Sequence, residues 1–299
     1  LIAMLVEKIR NYASLVRFSH TIFALPFAFA SLVLAWPKHP ITLRTVFWIV
    51  IAMVGARTAA MGFNRLADRR FDALNPRTAG WELPKGTVKT WEAGSLTIVA
   101  SLLFVFAAYQ LNWTCFVLSP VALTVLFFYS LTKRFTWASH LFLGVALSLA
   151  PIGAWLAVTD SPLAVKELLI PVCLGVAVIF WLAGFDIIYS LQDREFDRAH
   201  GLYSIPARFG MVWALRLSSF FHLCTIVFLI LVGIAANLGS IYWIGCLAVS
   251  FILMWEHRIV RPDDLSRINR AFFDFNAYVS IGYFLITLAD VLVSGTSVG

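Results

Sequence analysis

Three stretches of this 299-residue chain contain no Asp, Glu, Lys or Arg: 93–132, 135–159 and 217–255. A helix needs about 20 apolar residues to cross the hydrocarbon of a bilayer, so the first and third stretches each hold two crossings. Their breaks are visible as Gln110-Leu-Asn112 and Asn237-Leu-Gly-Ser240. The same count along the whole chain predicts nine spans, at roughly 18–36, 45–63, 92–110, 113–131, 138–158, 166–185, 212–235, 240–256 and 271–291. The short alternating segments of a membrane β-barrel are not seen. Trp36, Trp48, Trp113, Trp137 and Trp213 fall near predicted ends, as an interfacial aromatic belt requires. A soluble chain with 61% hydrophobic and 13% charged residues would have an unusually thin polar shell. An all-α membrane protein is predicted.

The net charge of +7 would suit nucleic acid if it were clustered, but its distribution follows the spans. With the N-terminus and every second loop assigned to one side, 19 of the 23 Lys and Arg fall on that side. The other side holds only Lys38, Arg44 and Lys166, and Arg57 lies within the second span. The positive-inside rule then puts the N-terminus in the cytoplasm and, after nine spans, the C-terminus outside. Pro26 interrupts the first span and no small-residue cleavage site follows it, so a cleaved leader is not expected. Cys115, Cys173, Cys224 and Cys246 lie in apolar spans without paired spacing and are expected as reduced thiols. The six histidines show no zinc-type spacing.

Two loops, about 64–91 and 186–211, are longer than the rest, and each opens with nearly the same phrase. Ala67-Asp-Arg-Arg-Phe-Asp72 recurs 125 residues later as Gln192-Asp-Arg-Glu-Phe-Asp197. Each phrase follows an even-numbered span, four spans apart. This suggests two four-helix repeats plus one helix, with two acidic clusters facing a shared cavity. Asn64, Asp68 and Asp72 stand at i, i+4 and i+8, on one face of a helix continuing out of the second span. Asp186, Tyr189, Asp193 and Asp197 are expected to do the same beyond the sixth.

A single Asp-x-x-x-Asp in a polar loop is commonly a solvated face; two at repeat-related positions on one membrane surface are not. Carboxylates one turn apart repel by a few tenths of a kcal/mol, and Mg²⁺ is the natural ion to offset this. It prefers oxygen ligands and is typically shared between carboxylates and substrate phosphates. Arg57 lies two turns deeper than Asn64 on the same face, where a charge usually marks a pathway or a site. Tyr129 and Lys133 are spaced one helical turn apart at the end of the fourth span, and Arg17 and His20 mark the same level on the first. Acidic motifs able to hold metal are thus ringed by cations able to hold an anion, which outlines a diphosphate site.

At these residues the sequence resembles the UbiA family of intramembrane aromatic prenyltransferases. Asn64, Asp68 and Asp72 match the family's Asn-x-x-x-Asp-x-x-x-Asp. Asp186, Tyr189, Asp193 and Asp197 match its Asp-x-x-Tyr-x-x-x-Asp-x-x-x-Asp, and Tyr129 with Lys133 its Tyr-x-x-x-Lys. The likeness spans essentially the whole chain and implies one prenyltransferase domain over 1–299 with the UbiA-type bundle. The segment Asn75-Pro-Arg-Thr-Ala-Gly-Trp-Glu-Leu-Pro84 departs from the Arg-Pro ending of many relatives. It is similar to a 4-hydroxybenzoate polyprenyltransferase subgroup, and also to the prenyltransferase of the futalosine route to menaquinone.

The resemblance implies a Mg²⁺-dependent transfer of a polyprenyl group from its diphosphate to an aromatic acid in respiratory quinone biosynthesis. The acceptor would be 4-hydroxybenzoate (ubiquinone) or 1,4-dihydroxy-6-naphthoate (menaquinone). Asp68, Asp72, Asp193 and Asp197 would hold the metal with Asn64 assisting. Lys133, Tyr129, Tyr189, Asp186 and Arg17 would serve substrate binding, with Arg134 or Arg57 pairing the acceptor carboxylate. The competing class is a secondary transporter, but such proteins place coupling carboxylates near the midplane, and these lie at the cytoplasmic edge.

Overall fold

A computed structural model of the chain describes residues 2–16, 21–159 and 165–295. The described residues form helices joined by turns and loops. In chain order the helices are α1 (Ile2–Leu15), α2 (Thr21–Ala35), α3 (Leu43–Leu74), α4 (Thr90–Leu111), α5 (Trp113–Thr132), α6 (Ser139–Leu156) and α7 (Val165–Ser190). A single 3₁₀ turn, Leu191–Asp193, leads into α8 (Arg194–Ala199) and α9 (Ile205–Phe209). The series ends with α10 (Met211–Ala235), α11 (Ser240–Ile259), α12 (Ile268–Arg270), a wide π turn over Ala271–Phe275, and α13 (Asn276–Gly295).

Among the described residues, eight helices are long and apolar enough to cross a membrane, and Phe23–Ala35 of α2 is a shorter apolar helix. Together these correspond to the nine predicted spans. Helix α2 runs unbroken through Pro26, as membrane helices tolerate when neighbours satisfy the backbone. Large apolar side chains such as Leu102, Phe106, Val121, Leu247 and Phe251 are exposed on outward faces, the inverse of a water-soluble surface. The protein is an integral membrane protein. All four cysteines are free thiols.

The described chain divides into two compact units. The first contains α1, α3, α4 and all of α5 but Thr132. Its core is a close helix pair. Ala52, Gly55, Ala59 and Gly62 form a stripe of small residues along α3, buried against α4. A Cβ on Gly55 would meet Phe104 N at 3.0 Å and Ala100 O at 3.1 Å, and one on Gly62 would overlap the Thr97 hydroxyl. Small residues on one face let the two backbones approach, which is how membrane helices gain packing without a hydrophobic driving force. The helix that carries the first acidic motif is therefore fixed along its apolar length.

The second unit holds α2 from Ile22 onward and everything from Thr132. Helix α7 is its centre: Leu174, Val178, Trp181, Ala183, Ile187 and Ile188 are all fully enclosed. Gly144 of α6 lies against the Ile179 backbone of α7, and the Ser218 hydroxyl of α10 donates to the Gly184 carbonyl of α7 at 2.6 Å. Ser31 of α2 donates to the Pro151 carbonyl of α6 at 2.7 Å. At the far end from the second motif, buried Asp290 of α13 accepts from Gly239 N (2.7 Å) and Tyr242 N (3.0 Å), capping the start of α11. That end thus satisfies two backbone donors that a helix N-terminus leaves open.

Candidate active site

Helix α3 continues past its apolar stripe to Leu74, so Asn64, Asp68 and Asp72 stand on one continuous helix, as their spacing predicts. Asn64 Nδ2 donates to Asp68 Oδ2 at 3.2 Å. Buried Arg65 lies 3.5 Å from Asp72 Oδ2 through Nη1. The helix then stops. The Thr78 hydroxyl takes the Asp72 carbonyl at 2.9 Å, and Asn75 Oδ1 takes the Arg77 amide at 2.9 Å. This turn brings Trp81 back over Arg65, whose guanidinium carbon is 3.8 Å from the ring centroid. The Asn75–Pro84 segment thus supplies the aromatic face that orients Arg65 toward Asp72. Half-buried Tyr129 of α5 shares an electrostatic neighbourhood with Arg57, Arg65 and Asp68 in this unit.

The second motif is built differently. Asp186 and Tyr189 lie on α7, but α7 ends at Ser190; Asp193 closes the 3₁₀ turn and Asp197 sits on α8. The helical path from α7 to α8 is continuous, with one 3₁₀ turn at Leu191–Asp193 inside it. Ser190 Oγ turns back to the Ile187 carbonyl (2.8 Å) and Gln192 Nε2 to the Tyr189 carbonyl (3.0 Å). Side chains that bind nearby carbonyls in this way compete with the helical ladder. Asp193 and Asp197 are buried, at 7% and 2% exposure, where a solvated face would leave them open. Asp186 accepts from His140 Nδ1 of α6 at 2.6 Å, and Tyr189 lies against Phe272 with ring centroids 4.1 Å apart.

Lys133 directly follows Thr132, the last residue of α5, and opens the turn that ends the helix, four residues on from Tyr129. The Thr132 carbonyl closes that turn by accepting from Phe135 N and Thr136 N, and the Lys133 carbonyl accepts from Tyr203 N at 2.7 Å. Its ammonium stands 3.8 Å from Asp197 Oδ2. Arg134, beside it, is exposed. Arg194 pairs with Glu195 at 2.7 Å. Arg17 and His20 lie outside the described residues.

The site residues thus form two groups. Arg57, Asn64, Asp68, Asp72 and Tyr129 belong to the first unit; Lys133, Arg134, Asp186, Tyr189, Asp193 and Asp197 belong to the second. One feature recurs in both. Asp72 Oδ2 and Asp197 Oδ2 are buried and accept no hydrogen bond from the described residues, yet each faces a cation. Among the described residues, no three His, Cys, Asp or Glu side chains gather tightly enough to enclose a metal. A carboxylate pair that leaves positions for substrate oxygens and water suits Mg²⁺, which is seldom held in an all-protein cage.

Residues 24–280 match the model of the UbiA prenyltransferase family. The chain belongs to that family. It is 29% identical to the 4-hydroxybenzoate octaprenyltransferase of Cronobacter sakazakii over 93% of this chain and 94% of the relative. It is 31% identical to that of Aeromonas hydrophila over 78% and 79%. The fold superposes on the apo structure of a UbiA homolog from Aeropyrum pernix K1 with a TM-score of 0.82 and 33% identity, covering 93% of this chain and 98% of that one. A UbiA homolog from Archaeoglobus fulgidus, bound to DMAPP and Mg²⁺, superposes with a TM-score of 0.72 at 17% identity, covering 93% and 99%. The protein is a prenyltransferase with the UbiA fold.

Sequence reading missed several residues of this UbiA chain that the structure brings to the motifs. His140 is one of six scattered histidines, and nothing local pairs it with Asp186, 46 positions away. Trp81 was part of an unusual segment without an assigned partner. Phe272 joins Phe23 of α2 and Phe185 of α7 in an aromatic wall, with centroid distances of 5.3 to 5.7 Å. The signal for Glu256 and His257 was present as ionisable groups at the end of an apolar span, but they read as its boundary.

Proposed function

We propose that this chain transfers a polyprenyl group from a polyprenyl diphosphate to a small aromatic acid, 4-hydroxybenzoate by the likeness to its relatives, with Mg²⁺. The observation that carries this reading is the paired one above: in each motif, a buried carboxylate oxygen without a hydrogen bond from the described residues faces a cation. Metal and diphosphate together complement such a set, because the metal takes carboxylate oxygens and the cations take phosphate oxygens.

Asp68 and Asp72, with Asn64, would hold metal at the first motif, and Asp193 and Asp197 would hold it at the second. Bound there, Mg²⁺ would supply charge stabilisation for the leaving diphosphate. Lys133 adds a cation where that charge grows, and a fixed cation helps most where charge develops in the transition state. Arg65, held by Trp81 and Asp72, does the same beside the first motif. Phe23 and Phe185 are buried near the second motif and would help to keep water from an allylic cation there. Tyr189, Tyr129 and Asp186 would orient the substrates. The aromatic acid must bring a carboxylate out of water, and an unpaired one costs several kcal/mol. Arg57, half-buried within α3, suits that role better than exposed Arg134. By the charge distribution of the loops, we place both motifs and the N-terminus at the cytoplasmic face of the inner membrane.

The test is Mg²⁺-dependent binding of farnesyl diphosphate to the purified protein, followed by calorimetry. Binding is expected with Mg²⁺ and lost in chelator. Asp68→Asn and Asp193→Asn should weaken it at least about tenfold while the melting temperature holds. Equal binding in chelator contradicts the reading.

A further inference from the structure

Beneath the second acidic motif lies a buried polar cluster that the prenyl chemistry does not use. His222 of α10, Glu256 and His257 of α11 and Asn276 of α13 meet there, with Glu256 and Asn276 fully enclosed and His222 at 2% exposure. His222 Nε2 lies 3.3 Å from the Trp181 carbonyl of α7, so that nitrogen carries the proton and donates. With the ring neutral, His222 Nδ1 accepts from His257 Nε2 at 2.9 Å. Glu256 Oε2 stands 3.8 Å from the same Nδ1. A Cβ at Gly184 would overlap the His222 ring, so the glycine is what lets the imidazole reach the α7 backbone. One turn earlier on α10, Ser218 takes the Gly184 carbonyl. Helix α10 is thereby pinned to α7 just before Asp186.

The other end of the cluster reaches the π turn. Asn276 Nδ2 faces three acceptors: Glu256 Oε1 at 3.4 Å and the carbonyls of Ala271 and Phe272, both at 3.2 Å. Three oxygens around one atom identify it as the amide nitrogen. A π turn disturbs the regular helical ladder and recurs at functional positions. Held in this way, the turn sets Phe272 4.1 Å from Tyr189 and 5.3 Å from Phe185, both on the final turns of α7. Apolar side chains would pack these helices without the desolvation cost of a buried carboxylate and two imidazoles. What the polar set adds is direction.

We propose that Glu256 and Asn276 are positioning residues for the second acidic motif. They hold the Ala271–Phe275 turn so that Phe272 braces Tyr189, and with it the end of α7 that carries Asp186 and leads into Asp193. The proposal rests on the reading of that motif as part of the Mg²⁺–diphosphate site.

The test is steady-state kinetics of the full chain with farnesyl diphosphate, 4-hydroxybenzoate and Mg²⁺. Glu256→Ala and Asn276→Ala are expected to raise the KM for farnesyl diphosphate and the Mg²⁺ needed for half-maximal rate, each about tenfold, with the KM for the acid within about twofold. Glu256→Gln keeps an oxygen facing Asn276 Nδ2 and should restore near wild-type constants. Phe272→Leu leaves the polar cluster intact and should reproduce the rise, which keeps the test decisive if Glu256→Ala fails to fold. A lower melting temperature with all three constants unchanged overturns the proposal, as does Phe272→Leu with wild-type constants. A wild-type protein with no Mg²⁺-dependent transfer removes the proposed function and this inference together. An active wild type with unshifted variants removes only the inference.

Discussion

His140 Nδ1 stands 2.6 Å from Asp186 Oδ2, while its Nε2 accepts the Ile205 amide at 3.4 Å. The backbone donor leaves the ring proton on Nδ1, so the fully buried imidazole donates to the first carboxylate of the second motif. One side chain thereby joins α6, α7 and the start of α9.

Removing the ring strands the Ile205 N–H and frees Asp186 to turn. His140→Ala is expected to cost about 1–3 kcal/mol of stability. It should also lower kcat/KM for the prenyl diphosphate about tenfold, as loss of a carboxylate's supporting hydrogen bond does at metal sites. Thermal melting in detergent and steady-state kinetics check both. If neither changes, the pair does not hold Asp186.

Asp290 offers a contrast, because its two hydrogen bonds cap α11 far from the second motif. Asp290→Ala leaves Gly239 N and buried Tyr242 N without their acceptor, at about 1–3 kcal/mol for the buried Tyr242 donor. A lower melting temperature is expected, with wild-type KM values for both substrates at temperatures where the variant is folded. A selective rise in one KM would show that this end reaches the site.

How far the sequence spoke for itself depended on which constraint was acting. Hydrocarbon forbids unpaired charge, so the charge-free runs around Ala93–Thr132 and Leu217–Trp255 mark the spans to within a few residues. The first motif was equally legible, since Asn64, Asp68 and Asp72 share one unbroken helix. At Asp193 and Asp197 the helix continues, but a 3₁₀ turn at Leu191–Asp193 shifts the facing that i, i+4 spacing alone predicts. What spacing does not show at Lys133 is the tertiary contact of its carbonyl, which accepts from Tyr203 N, 70 positions on. The His140–Asp186 and Arg65–Trp81 contacts are tertiary in the same sense.

Acceptor recognition separates Arg134, to which the sequence gives the acceptor carboxylate first, from Arg57, its alternative. Arg57 is half-buried and Arg134 exposed, and a guanidinium shielded from water binds a carboxylate more strongly. Arg57→Ala is expected to raise the KM for 4-hydroxybenzoate about tenfold or more, with a smaller change in kcat, as removal of a uniform binding contact does. Arg134→Ala should change it about twofold at most. The reverse order would assign the carboxylate to Arg134.

Orientation rests on the loop charges and is open to direct labelling. In a background lacking the four native cysteines, Ala73→Cys and Ala199→Cys place thiols at exposed positions beside the two motifs. Both should react with an impermeant maleimide only from the cytoplasmic side. Ser294→Cys, exposed near the end of α13, should react only from the other. Labelling of Ala73→Cys or Ala199→Cys from outside would reverse the topology.

The central claim is Mg²⁺-dependent prenyl transfer to an aromatic acid, and the most direct test is mass spectrometry of the product. Purified protein in lipid vesicles would be given one polyprenyl diphosphate and either 4-hydroxybenzoate or 1,4-dihydroxy-6-naphthoate, with Mg²⁺ or with chelator. The account predicts the prenylated acid, formed from 4-hydroxybenzoate with Mg²⁺ and absent both in chelator and with Asp68→Asn. Prenylated product at full yield in chelator, or no product from either acid with Mg²⁺ present, would contradict it.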